Sequence, residues 1–186
     1  MRIIGGLLKG KKIKFLKNTT TRPLKDSVKE NIFNILTHSN VIKTKIENSD
    51  VLDLYSGVGS FGIECISRGS QKVTFIEKDK NAFDALRENL QYLSIGNKTN
   101  IFFNDIEKIL KNKIDKKFNI FFFDPPFNDF KFIRNLKIIK NLEIFKNNHI
   151  IIIHRERGTI DNFTGIMNII NIKEYGRSKI IFGVFN

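Results

Sequence analysis

The stretch Val51-Leu52-Asp53-Leu54-Tyr55-Ser56-Gly57-Val58-Gly59-Ser60-Phe61-Gly62 decides the fold. Residues 51–55 form a near-continuous apolar run, as in a strand buried on both faces. The glycines that come next recur as GxGxxG, which turns a strand into a helix and lets backbone and ligand approach closely. Outward from this unit, strands and helices alternate. A helix over about 62–68 leads to a strand at 72–77, a helix at 80–93 and a short strand at 100–103. Then come a helix at 105–111, an almost wholly apolar strand at 118–123, a helix over 129–146 and a strand at 149–154. Residues 167–173 and 179–185 close the chain as a hairpin through Tyr175-Gly176-Arg177-Ser178. Upstream, Asp26 or Ser27 can cap a helix whose stripe is Val28, Ile32, Phe33, Ile35 and Leu36. The pattern predicts a doubly wound α/β fold: a seven-stranded, mostly parallel sheet with an antiparallel C-terminal hairpin.

Ligands of such sheets bind outside the carboxyl ends of the strands. Glu77 ends the second strand, 20 residues after Gly57, where a carboxylate can accept from ribose hydroxyls. Its plain alternative is a solvated strand end beside Lys78. The glycine turn and Glu77 suit an adenosine-containing cofactor, and a NAD dehydrogenase has a similar turn. Asp53 shifts the balance, because a carboxylate before the first glycine repels a pyrophosphate but can hold a cationic methionine moiety. Asn104-Asp105 closes the third strand, where Asp105 can accept from an adenine amino group, cap the next helix, or do both.

Asp124-Pro125-Pro126-Phe127 succeeds the most apolar strand. The two prolines fix φ and donate no backbone N–H, so the turn exposes carbonyls that only accept. An acidic side chain beside them can receive both hydrogens of an –NH₂ group and orient its lone pair for in-line displacement. Phe127 offers a ring on which an extruded base stacks, worth about 1–3 kcal/mol. The bland alternative is a rigid turn in which Asp124 merely caps the next segment.

Composition bounds the partners. The 186 residues carry a formal charge of +13, which favours a polyanion such as nucleic acid, although an AT-rich coding bias also inflates lysine. Cys65 is the single cysteine, and His38, His149 and His154 show no metal spacing, so no metal is expected. His154 could line a pocket, and a structural role is the preferred reading. No apolar run approaches the roughly 20 residues that span a bilayer, and the start reads as neither signal nor transit segment, so a cytoplasmic protein is expected.

The whole chain resembles the bacterial 16S rRNA guanine-N2 methyltransferases. The resemblance rests on Arg2-Ile3-Ile4-Gly5-Gly6, Lys9-Gly10-Lys11-Lys12-Ile13, Thr21-Arg22-Pro23 and Asp26-x-Val28-Lys29-Glu30-x-x-Phe33-Asn34. It continues through Asp53–Gly62, Glu77, Asp124–Phe127 and Tyr175-Gly176 in the same order. It implies a class I, Rossmann-like methyltransferase domain over 26–186 behind a basic N-terminal β-hairpin, 1–25, that binds RNA. It further implies S-adenosylmethionine as cofactor, held by Asp53, Tyr55, Gly57, Gly59, Glu77, Lys78, Asn104, Asp105 and Ile106. Catalysis falls to Asp124, Pro125, Pro126 and Phe127, and RNA contact to Arg2, Lys9, Lys11, Lys12, Arg22 and Lys29. The implied substrate is the N2 amino group of one guanine near the P site of 16S rRNA, in an assembled or nearly assembled small subunit, with no metal involved. A monomer is the default for a small enzyme that must dock on a ribosomal particle. His154-Arg155-Glu156-Arg157 is more basic than the family pattern and receives no role. The rival readings are a DNA-adenine or protein-glutamine amino-methyltransferase, a NAD-dependent oxidoreductase, and a non-catalytic RNA-binding protein.

Overall fold

The structure, a computed structural model, describes residues 1–16 and 24–186; Arg22 and the Thr21-Arg22-Pro23 segment lie outside the described residues. In chain order the elements are α1 (Asp26–His38), β1 (Asp50–Leu54), α2 (Ser60–Ser67), β2 (Lys72–Glu77), α3 (Lys80–Tyr92) and β3 (Thr99–Phe103). They continue with α4 (Ile106–Asn112), β4 (Phe118–Phe123), α5 (Lys131–Asn141), β5 (Phe145–Glu156), β6 (Met167–Tyr175) and β7 (Ser178–Phe185). One seven-stranded sheet runs β3-β2-β1-β4-β5-β7-β6, as expected from the alternation. Strands β1 to β5 pair in parallel, and β7 pairs antiparallel with both β5 and β6.

The period of two along each strand separates two cores. Val51, Val73, Phe75, Ile120, Phe122, Ile150 and Ile152 point to one face and pack with α1, α2 and α3. Leu52, Leu54, Ile76, Phe121, Phe123, Ile151 and Ile153 point to the other and pack with α4 and α5. Because β1 is flanked by β2 on one side and β4 on the other, strand order reverses there, and a crevice opens at the carboxyl ends.

Three local expectations need correction. The helix expected over 129–146 ends at Asn141, because Glu143 takes φ 50° and Phe145 already pairs with Phe118 at the start of β5. Neither Asp26 nor Ser27 caps α1: the cap position is Lys25, and Asp26 lies in the first turn, 3.8 Å from Lys29 and 3.8 Å from Arg2. The N-terminal segment folds back on itself through an antiparallel Arg2–Lys12 bridge, with Ile3 N donating to Lys11 O at 3.0 Å and Ile13 N to Met1 O at 3.1 Å. It is packed rather than solvated, however, burying Ile3 and Ile13 in the same core as α1 and α2.

Side chains of α2 explain that docking. The Glu64 carboxylate accepts from Ile4 N at 2.9 Å and Gly5 N at 2.7 Å, and Ser67 Oγ donates to Gly5 O and accepts from Leu8 N. Gly6 sits at φ 73° with its Cα facing the Ser67 carbonyl, where a Cβ would lie 1.8 Å from the oxygen. Only glycine allows so close an approach.

Candidate active site

Four strand ends meet at the crevice. Asp53 is the penultimate residue of β1, Glu77 the last of β2, and Asn104 and Asp124 come directly after β3 and β4. Asp53 is buried, and its Oδ2 accepts from Gly62 N at 2.9 Å, which ties the strand to the first turn of α2. Burial pushes its carboxyl well above the usual carboxylate range, and the nearby charges of Asp124 and Glu77 push the same way. Three acidic groups thus converge on one place, one of them without solvent. A cation delivered there relieves both the repulsion and the desolvation.

The glycine turn is shaped for a ligand. Gly59 stands at the head of α2 with φ 86°, and a Cβ there would lie 2.5 Å from Leu86 Cδ1. At Gly57, by contrast, no atom of the described residues lies within 4 Å of an added Cβ, so the backbone faces open space among them. Glu77 Oε2 accepts from Gly57 N at 2.7 Å, while Oε1 accepts from the Lys78 and Asp79 amides at 2.8 and 2.7 Å. Asp105 caps α4 through Glu107 N at 3.0 Å, Ile106 is buried beneath it, and Asn104 and Lys78 are exposed beside the crevice. Tyr55, at φ 61°, accepts at its hydroxyl oxygen from Asn135 Nδ2 of α5 at 3.1 Å. Burial and the neighbouring Asp129 carboxylate raise that hydroxyl's pKa. Its side chain therefore braces the loop from behind.

The Asp124–Phe127 loop is held by His154, expected to be structural, and by Arg155, to which the sequence assigned no role. His154 Nδ1 lies 2.8 Å from Asp124 Oδ1, and Phe127 meets the His154 ring edge-on at 5.8 Å between centroids. Arg155, fully buried, donates through Nη1 to the Pro126 carbonyl at 3.2 Å and the Asp129 carbonyl at 3.4 Å. Its Nε and Nη2 grip the Asp161 carboxylate at 3.1 and 3.2 Å. A signal was present: His154 is the residue after Ile153, which pairs with Phe123, so His154 falls beside Asp124 on the same sheet face.

The basic residues divide. Arg2, Lys9, Lys11 and Lys12 are exposed on the docked N-terminal segment. Asn89 of α3 ties that segment to the glycine turn, accepting from Lys14 N at 2.7 Å and donating to Val58 O at 3.0 Å. Lys29, expected among the RNA contacts, is wholly buried; its Nζ donates to Arg2 O at 2.9 Å and pairs with Glu64 at 3.6 Å. It is a structural cation, since no phosphate can reach it. No helix among the described residues is long and apolar enough to cross a membrane.

Known proteins share this architecture. The family described as Conserved hypothetical protein 95 matches residues 1–184. Ribosomal RNA small subunit methyltransferase D of Haemophilus influenzae is 36% identical over 130 residues, 69% of this chain and 64% of that protein. The protein of that name from Buchnera aphidicola subsp. Baizongia pistaciae is 31% identical over 185 residues, 100% of this chain and 91% of the relative. The solved structure of yhhF from Escherichia coli superposes with a TM-score of 0.82 at 25% identity, covering 100% of this chain and 98% of that one.

Proposed function

We infer the reaction from one premise: this chain belongs to the family described as Conserved hypothetical protein 95, together with the ribosomal RNA small subunit methyltransferases D. It is an S-adenosylmethionine-dependent rRNA methyltransferase of the class I fold. Its substrate is the exocyclic N2 amino group of one guanine of 16S rRNA near the P site, presented by an assembled or nearly assembled small subunit. The enzyme works as a cytoplasmic monomer.

The observation that carries this reading is the convergence of Asp53, Glu77 and Asp124 at the switch point, beside a glycine turn whose Gly57 faces open space. These residues fit the cofactor: Asp53 suits its cationic methionine end, Glu77 and Lys78 the ribose, and Asn104, Asp105 and Ile106 the adenine. Tyr55 and Gly59 shape the turn that holds it. When bound, S-adenosylmethionine supplies an electrophilic methyl group on a sulfonium.

Asp124 and the Pro125 carbonyl accept the two amino hydrogens, which turns the nitrogen lone pair toward that methyl. Pro126, whose carbonyl already accepts from Arg155 Nη1 and Asp129 N, fixes the turn that presents them. As nitrogen becomes cationic, the Asp124 carboxylate stabilises the charge and takes the proton the amine sheds. Phe127 stacks on the base and keeps water from the nitrogen. Arg2, Lys9, Lys11 and Lys12, with Arg22 in the same 1–25 extension, grip phosphates and contribute affinity rather than base choice.

The test is transfer of labelled methyl to small subunits from cells lacking the modification, with the methylated nucleotide mapped by mass spectrometry. N2-methylguanine at one position is the expected product. Transfer to bare DNA or a protein glutamine, and none to subunits, overturns the assignment.

A further inference from the structure

We propose that His154 is a positioning residue for this reaction, holding Asp124 so that one carboxylate oxygen is spent on the protein and the other is free for the substrate amine. The inference rests on the methyltransferase reading above.

The geometry assigns the roles. Asp124 Oδ1 lies 2.8 Å from His154 Nδ1, and Oδ2 has no hydrogen-bond partner among the described residues. His154 is 4% exposed, and its buried Nε2 has no partner among the described residues. Two neutral tautomers are available, and they differ in which ring nitrogen is left orphaned. With the proton on Nδ1, the ring donates to the carboxylate and Nε2 keeps only an unused lone pair. With the proton on Nε2, an N–H donor is buried unpaired, and Nδ1 and Oδ1 face each other as two acceptors. A buried orphan donor is the rarer and costlier arrangement, so Nδ1–H donates to Oδ1.

That bond fixes more than distance. The carboxylate of Asp124 rotates about its terminal torsion with little intrinsic preference, since sp³–sp² torsions are broad. Unpinned, its plane and its free oxygen sweep across the mouth of the crevice. Pinned at Oδ1, it presents Oδ2 as an acceptor in one direction. Edge-on contact between Phe127 and the same imidazole couples the stacking ring to the same pivot. One histidine therefore aligns both the acceptor of the amine and the platform for the base.

The test compares His154→Phe and His154→Asn with the unaltered protein. Phenylalanine keeps the ring and removes the donor, whereas asparagine can place an amide N–H near the Nδ1 position. With small subunits and S-adenosylmethionine, His154→Phe is expected to lower kcat by about 100-fold, the scale of a misplaced reacting group. KM for subunits and Kd for the cofactor should stay within about twofold, and His154→Asn should recover most of kcat. In an Asp124→Asn background, His154→Phe should add little further loss. Unchanged kcat in His154→Phe overturns the proposal, as does equal damage in both variants accompanied by weakened cofactor binding.

Nitrogen-15 spectroscopy of the histidine rings supplies a readout free of activity. It should find His154 protonated on Nδ1, with a shift on Asp124→Asn; protonation on Nε2 alone overturns the assignment. If the unaltered protein transfers no methyl to subunits, the proposed reaction falls, and the ring spectrum still decides whether His154 holds Asp124.

Discussion

Arg155 and Asp161 form a two-pronged ion pair entirely inside the protein, at 3.1 and 3.2 Å, and the third nitrogen of the same guanidinium reaches the Pro126 carbonyl. Guanidinium geometry makes this possible, because a planar fork binds a carboxylate with two N–H groups while others remain for carbonyls. The ring of Phe132 lies 4.6 Å beneath it. A segment more basic than the family pattern thus anchors the proposed catalytic loop.

Replacing Arg155 by methionine leaves Asp161 charged, buried and unpaired, which should destabilise the protein by about 3–5 kcal/mol. At roughly 2–4 °C per kcal/mol for a chain of this size, melting should fall by on the order of 10 °C. The double variant Arg155→Met with Asp161→Leu should regain much of that stability and little of the methyl transfer. Recovery of both would show that the loop keeps its shape unaided.

Asp53→Asn preserves the hydrogen bond to Gly62 and removes the buried charge. Its raised pKa means the fold holds a proton that the unfolded chain has released. Stability of the cofactor-free protein should therefore decline as pH rises above about 4, and the decline should end once the folded pKa is passed. Asp53→Asn should abolish that slope and melt higher at neutral pH. It should also weaken S-adenosylhomocysteine by about tenfold or more while sparing adenosine, which lacks the amino-acid end. Equal effects on both ligands, measured by calorimetry, would remove Asp53 from the methionine site.

Among the basic residues, burial predicts opposite phenotypes. Changing Lys9, Lys11 and Lys12 together to alanine should leave melting within about 1–2 °C and flatten the salt dependence of RNA binding by up to roughly 0.7 for each phosphate the lysines had neutralised. Lys29→Met should do the reverse. It removes the buried ammonium from Glu64, which keeps Arg68 at 3.0 Å, and leaves the Arg2 carbonyl without its donor, so stability should fall by about 1–3 kcal/mol with the salt slope unchanged. Filter binding across a salt series, beside thermal melts, separates the two.

His149 sets an acid limit on stability. Its Nδ1 donates to Lys146 O at 2.7 Å and its Nε2 accepts from Phe185 N at 2.9 Å, an arrangement only the neutral ring can make. Burial lowers its pKa from the ordinary 6.5. The folded state is therefore neutral where the unfolded state takes a proton, so this stability is intact above about 6.5 and lost as pH falls below it. A His149→Gln variant should melt lower at pH 8 yet show a shallower decline between pH 6.5 and 5. A decline as steep as in the unaltered protein would assign the acid sensitivity elsewhere.

The order of elements, the doubly wound sheet and the positions of Asp53, Gly57, Glu77 and Asp124 at strand ends were legible in the residues alone. The reason is that they depend on local patterns: apolar runs of strand length, helical stripes, glycine and proline at turns. The path of the N-terminal segment was not legible, because Ile3 and Ile13 become core only when Glu64 and Ser67 of α2 meet their backbone. Lys29 read as a surface cation for the same reason, and its burial comes from a carboxylate 35 residues downstream. The contacts of His154 and Arg155 were not legible, because adjacent residues of a strand point to opposite faces and what each face holds is set by other strands and helices. Sequence by itself determined which chemistry is delivered to the crevice; tertiary packing decided which side chains hold that chemistry in place.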